Sequence, residues 1–201
     1  MTRKSERLAA LWLGTLQRLT DHTAHEIRNA LNGVAVNLEV VRSRAARGAE
    51  GAAIASFANA AAVQLEVLTG QADALVALLR PPPDTTDVGA LLGRLVALAR
   101  GAGKGTIALD VPMNSGSVTT LADSTATRLA LSAALLAALA REGRVVCRLG
   151  TEGAASVYIE CDAGGPLTLG DAIETAVTEA GISLAPVAHG ITISFPSSSR
   201  G

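Results

Sequence analysis

The sequence predicts a chain of mixed α and α+β class, an N-terminal helical hairpin followed by a C-terminal α/β sandwich, and three observations predict it. Apolar residues recur at three- and four-residue steps through the first eighty positions, with one glycine-bearing interruption. Pro81-Pro82-Pro83-Asp84 then stops the pattern. Beyond it, short alternating segments are intermixed with helical ones, as in a sheet covered by helices. The expected division is 1–80 for the hairpin, 81–85 for a linker and 86–201 for the sandwich.

In the first helix, expected from about residue 5 to 46, Leu16, Leu19, Thr23, Ile27, Leu31, Val34, Leu38 and Val41 form one stripe. Gly48-Ala49-Glu50-Gly51 supplies the stop, and the second helix, 52–79, carries Ile54, Phe57, Ala61, Leu65, Leu68, Ala72, Leu75 and Leu79 on one face. A lone hairpin has few ways to bury both stripes, so pairing with a second copy into a four-helix bundle is expected. In the second part, helices are expected at 88–100, 124–141 and 169–180. Strands are expected at 106–111, 117–121, 144–149, 155–161 and 190–195, the third and fourth of them joined as a hairpin.

Composition narrows the function. Of 201 residues, 49% are hydrophobic and 17% charged, so the chain has ample core material and no signature of disorder. A net charge of −1 and an aromatic content of 2% argue against a nucleic-acid partner, which needs a basic field or stacking platforms. The longest apolar run, Leu129 to Ala140, is too short to span a bilayer, and the N-terminal segment has no secretory cleavage pattern; no membrane association and a cytoplasmic location are expected. Cys147 and Cys161 lack the spacing of a zinc site and read as buried free thiols.

The chemistry-bearing segment is Asp21-His22-Thr23-Ala24-His25-Glu26-Ile27-Arg28-Asn29-Ala30-Leu31-Asn32. At about 100° per residue, His25 lies about 200° from Ile27 and faces away from the apolar stripe, with Arg18, His22, Asn29 and Asn32 on the same polar face. An accessible imidazole of near-neutral pKa has a ring nitrogen able to attack phosphorus. Glu26 is placed to accept the ring proton or hold the tautomer, and Asn29, one turn on, to orient a water. His22 and His25 share the i, i+3 spacing of a metal clamp, but no third ligand is evident and no metal is expected.

His25-Glu26-Ile27-Arg28-Asn29-Ala30-Leu31-Asn32 resembles the H-box of the dimerisation and histidine-phosphotransfer domain of sensor histidine kinases, departing from it in Ala30, where the family has proline. The resemblance implies that His25 is a phosphoacceptor, Glu26 a general base and Asn29 an aid to dephosphorylation, with Arg28, His22 and Asn32 in support. Loss of the proline implies a straighter helix below the site.

The second part resembles, more weakly, the kinase ATP-binding domain. The helix at 124–141 stands where the family places its magnesium-holding asparagines, yet Ala133-Ala134-Leu135-Leu136-Ala137-Ala138 contains none, and methyl groups cannot ligate a hard cation. Asp162-Ala163-Gly164-Gly165 is similar to the family's adenine-reading segment, and Gly181-Ile182-Ser183-Leu184-Ala185 to its second glycine box; Asp162, Gly164 and Gly181 are expected to be vestigial, or simply turn residues. The segment 169–180 reads as one helix where the family keeps a flexible lid. No ATP or other cofactor is therefore expected. The resemblance implies a homodimeric histidine phosphotransferase of a phosphorelay, partnered by response-regulator receiver domains that bring the magnesium. The alternatives are a divergent kinase, a receiver phosphatase acting through Asn29, and a non-catalytic dimeric scaffold.

Overall fold

The computed structural model describes residues 3–48, 50–81, 84–99, 107–110, 118–141, 143–150, 155–162 and 164–196. Two long helices, α1 (Arg3–Ala46) and α2 (Gly51–Leu79), form the hairpin. With no proline, α1 runs unbroken through Ala30, as the missing proline implies. It ends at Gly48, whose φ of 75° is a left-handed conformation that glycine adopts without a Cβ penalty.

The two helices follow the predicted stripes in part: Ile27 and Val41 on α1 and Ile54, Phe57, Leu68 and Leu75 on α2 are half-buried, and other members depart. Leu16, Leu19, Thr23 and Val34 are buried on α1, but Leu31 and Leu38 are each 51% exposed. On α2 only Ala61 of the expected stripe is buried, while Leu65 and Leu79 are 47% and 63% exposed. The helix is rotated so that Gln71, Ala74 and Leu78 are its inward residues. Polar contacts help set this rotation: Asn37 Nδ2 donates to Gln64 Oε1 at 3.3 Å, and Gln64 lies over Gly33, where a Cβ would come within 2.5 Å of its amide.

The sandwich follows with β1 (Thr86–Asp87), α3 (Val88–Ala99), β2 (Ile107–Asp110), β3 (Thr119–Thr120), α4 (Ser124–Leu139), β4 (Val145–Gly150), β5 (Ser156–Cys161), α5 (Asp171–Glu179), β6 (Ser183–Val187) and β7 (Gly190–Ser194). The main sheet has the order β2-β4-β5-β7-β6, parallel only between β2 and β4. Alternation along β4 and β5 turns Val145, Cys147, Leu149, Val157, Ile159 and Cys161 into the core. The strand expected at 117–121 shortens to β3 and pairs with β1, unforeseen from sequence, in a separate two-stranded sheet. The helix at α5 is shorter than the expected 169–180.

Helix α4 is the centre of the core. Asp123 caps it, its Oδ1 accepting from the amides of Thr125 at 2.8 Å and Ala126 at 2.9 Å. Its buried Arg128 donates through Nη1 to the carbonyls of Leu78 at 3.1 Å and Arg80 at 3.0 Å, satisfying acceptors that the end of α2 leaves open. Burial pushes the Arg128 guanidinium below its ordinary pKa, and the charge of Arg94 adds to this. The N-terminal part of α1 also belongs to this body: Leu8, Leu16 and Leu19 join the sandwich core, and Lys4 Nζ donates to Glu179 O at 2.7 Å at the end of α5.

No unbroken apolar run is long enough to span a bilayer, and α2 reaches that length only with Gln64, Glu66, Gln71 and Asp73 within it. By length and composition α2 suffices to cross a bilayer, having a window of mean hydropathy 1.3 of which only 6% is buried.

Candidate functional site

His25 stands on the solvent side of α1, exposed, with Glu26 half-buried beside it. Both line an open cleft of about 420 Å³ together with Arg18, Asp21 and His22. The helical repeat explains this set: positions 18, 21, 22, 25 and 26 are related by steps of three, four and seven residues and so stack on one face. Of the sequence-predicted site residues, the cleft gathers His25, Glu26 and His22. Arg28, Asn29 and Asn32 are exposed on the same helix but do not line it. Asp21, a member of the segment to which the sequence assigns no role, also lines the cleft, and its i, i+4 spacing from His25 is the signal that places it there.

His22 Nε2 is sealed from solvent and has no hydrogen-bond partner among the described residues. Arg18 Nη2 reaches back to Thr15 Oγ1 at 3.4 Å, long for a hydrogen bond. The cleft thus holds two imidazoles, two carboxylates and a loosely held guanidinium. Among the described residues no group of three or more metal-ligating side chains comes together.

The three residues expected as vestiges of a nucleotide pocket do not converge. Asp162 lies at the end of β5 and lines a cleft with Val146, Arg148 and Glu160, whose side chains leave the sheet on the side away from α4. Gly164 and Gly165 form a turn, Ala163 lying outside the described residues. Arg141 donates to the carbonyls of Gly165 and Pro166, the latter at 2.7 Å, and His189 Nδ1 donates to Gly164 O at 3.2 Å. Gly164 has φ 94°, and a Cβ there would press on Arg141. Gly181 sits near Pro196, past the opposite end of β7, so about 16 Å of strand separates it from His189 and Gly164. Ser183 to Ala185, expected in a glycine box, belong instead to the edge strand β6, which pairs with β7 through Ser183 and Ser194. The Ala133 and Ala137 face of α4 opens on a third cleft, closed at its sides by Gly170, Ile173 and Arg18.

Both cysteines are buried free thiols, as expected. Burial pushes Cys147 up to about 12, helped by the proximity of Cys161. Burial also raises Cys161, with Arg141 opposing and Asp162 reinforcing. Neither is a thiolate nucleophile at neutral pH.

No family model matches the chain, and no curated relative matches it. Among solved structures, it is similar to a bacterial phosphotransferase at TM-score 0.46 and 15% identity, covering 96% of this chain and 98% of that one. It is similar also to the Acinetobacter baumannii histidine kinase AdeS, at 0.43 and 18%, covering 86% and 97%. A histidine kinase from Burkholderia phymatum gives 0.40 and 15%, covering 98% and 100%. At these values the likeness is one of fold outline, and a functional reading rests on the residues of the chain itself.

Proposed function

We propose that the chain is a histidine phosphotransferase of a two-component phosphorelay, moving a phosphoryl group between His25 and the aspartates of receiver domains without using ATP. The observation that carries this is the exposed imidazole of His25, next to Glu26, in an H-box-like segment of an unbroken helix. In the transfer, an unprotonated ring nitrogen attacks phosphorus, the P–O bond to the receiver aspartate breaks and returns a carboxylate, and the displaced ring proton passes to Glu26 or water. The magnesium that neutralises the aspartyl phosphate comes with the receiver, so the chain supplies a nucleophile and a docking surface.

Two features support the absence of a nucleotide step. The α4 face offers methyl groups where magnesium would need oxygen ligands, and Gly181 stands near Pro196, past the end of β7 opposite to Asp162 and Gly164. The homodimer is proposed on the exposed Leu31, Leu38, Leu65 and Leu79 of the hairpin, a face that a second copy would cover. Receivers are expected to dock along the flank of α1 near residues 34–40, where Val36 is exposed, and on the neighbouring second helix and sandwich.

The test is a transfer profile. Receiver domains from the same genome are charged with acetyl phosphate, freed of the donor and mixed with the protein. At least one is expected to pass acid-labile phosphate to the wild-type protein and none to His25→Ala. Transfer that persists in His25→Ala, or no transfer from any receiver, overturns the proposal.

A further inference from the structure

A phosphoryl group on His25 carries close to two negative charges, and the same cleft is lined by the carboxylates of Asp21 and Glu26. Without a cation nearby, both the arrival of the group and its residence would be opposed by like charge. The cleft contains such a cation. Arg18 lies two helical turns before His25 on the same face, about 10 Å along the axis. Side chains on a helix lean toward its N-terminus, so the His25 ring hangs over the turn that carries His22 and Asp21; Arg18, which leans back onto Thr15, closes the remaining gap along the cleft they share by swinging its guanidinium toward His22. Arg18 costs little to recruit, because the hydrogen bond from it to Thr15 is long at 3.4 Å. It also borders the α4–α5 cleft, and so stands between the histidine and the sandwich.

We infer that Arg18 is the phosphoryl clamp of the His25 site, with His22 as a second donor to the same oxygens. An arginine offers paired N–H groups to a phosphoryl oxygen pair, which is the geometry that such groups bind best. His22 has an Nε2 that water does not reach and that no described group satisfies; turning its ring toward His25 breaks no hydrogen bond and supplies the missing partner. The clamp makes α1 itself, rather than the receiver, responsible for neutralising the transferred group once it has left the receiver's magnesium.

The inference rests on the phosphotransfer reading, and a small donor separates the two. Phosphoramidate transfers its phosphoryl group to histidine with no protein partner: the P–N bond to the leaving ammonia breaks, the P–N bond to the ring forms, and the ring proton goes to Glu26 or solvent. Loading is followed by 31P NMR on the full chain. The second-order loading rate is expected to fall about ten-fold in Arg18→Met and about three-fold in His22→Leu, to return toward the wild-type value in Arg18→Lys, and to vanish in His25→Ala. Arg18 is exposed, so its variants keep the fold, which circular dichroism checks. Wild-type loading in Arg18→Met overturns the clamp while leaving the phosphotransfer reading intact. Wild-type loading in His22→Leu removes the second donor. Failure of the wild-type protein to load, or loading of His25→Ala, overturns both.

Discussion

Helices α2 and α4 are both rich in alanine and leucine, yet twelve of the sixteen residues of α4 are buried and only four of the twenty-nine in α2. The difference is one of partners rather than composition. Helix α4 is enclosed by α1, α3, α5 and the sheet, all from its own chain, whereas α2 has α1 along one side and α3 only near its C-terminal end, and leaves much of its apolar surface open. The contrast recurs within α1, whose Leu8, Leu16 and Leu19 are sealed by the sandwich and whose Leu31 and Leu38 are not. One half of the molecule completes its core internally; the other presents a surface, and the His25 cleft lies on α1 between the two regimes.

If the sandwich is self-sufficient, damage at its centre should be the most expensive change in the chain. Leu131, fully buried on α4, is expected to cost about 2–5 kcal/mol as Leu131→Ala, read as a lowered urea midpoint with unchanged slope. A cost below about 1 kcal/mol would mean that the core is looser than the contrast requires. Next comes the link between the halves. Arg128→Met keeps the bulk but leaves the carbonyls of Leu78 and Arg80 without this donor, at an expected cost of about 1–3 kcal/mol. Hydrogen exchange should quicken around 75–80 before it does in the sheet, and uniform quickening would contradict the assigned role. Asp123→Ala removes one cap from α4, and about 1 kcal/mol of stability is expected to go with it in the same titration.

The elements that could be read from the sequence were those whose residues obey one local rule. The unbroken α1, the stop at Gly48 and the alternation of β4 and β5 each follow from propensity or period. The rotation of α2 did not, because period alone cannot show that Gln64, Gln71 and Leu78 would be turned inward in place of Leu65, Ala72 and Leu79. Likewise β6 was missed: Ser183 and Pro186 give it no alternation, and it is held by pairing with β7. At the site, exposure of His25 was legible from a single helical wheel. The unpartnered His22 nitrogen was not, since burial of one ring atom depends on how neighbouring side chains settle. Gly164 and Gly181 take positive φ as turn residues, the plainer of the two readings the sequence allowed, while the strand made by Ser183 to Ala185 depends on pairing with β7 that a short segment does not reveal.

The smallest expected change in stability bears most directly on the open half. Replacing half-exposed Leu38 and Leu65 by glutamine should alter unfolding of the sandwich by no more than about 0.5 kcal/mol, since neither side chain belongs to its core. Light scattering is expected to report a dimer for the wild-type chain at micromolar concentration and a monomer for the double variant, because two polar groups would then have to be desolvated in the proposed four-helix seam. A wild-type monomer would assign the open face to some other covering and leave the hairpin as a single-copy platform. A double variant that stays dimeric would shift the seam to the surface around Val63 and Val76, which are exposed elsewhere on α2. In each case the sandwich should unfold as before, and that independence is what distinguishes a helix that has found its partners from one that still lacks them.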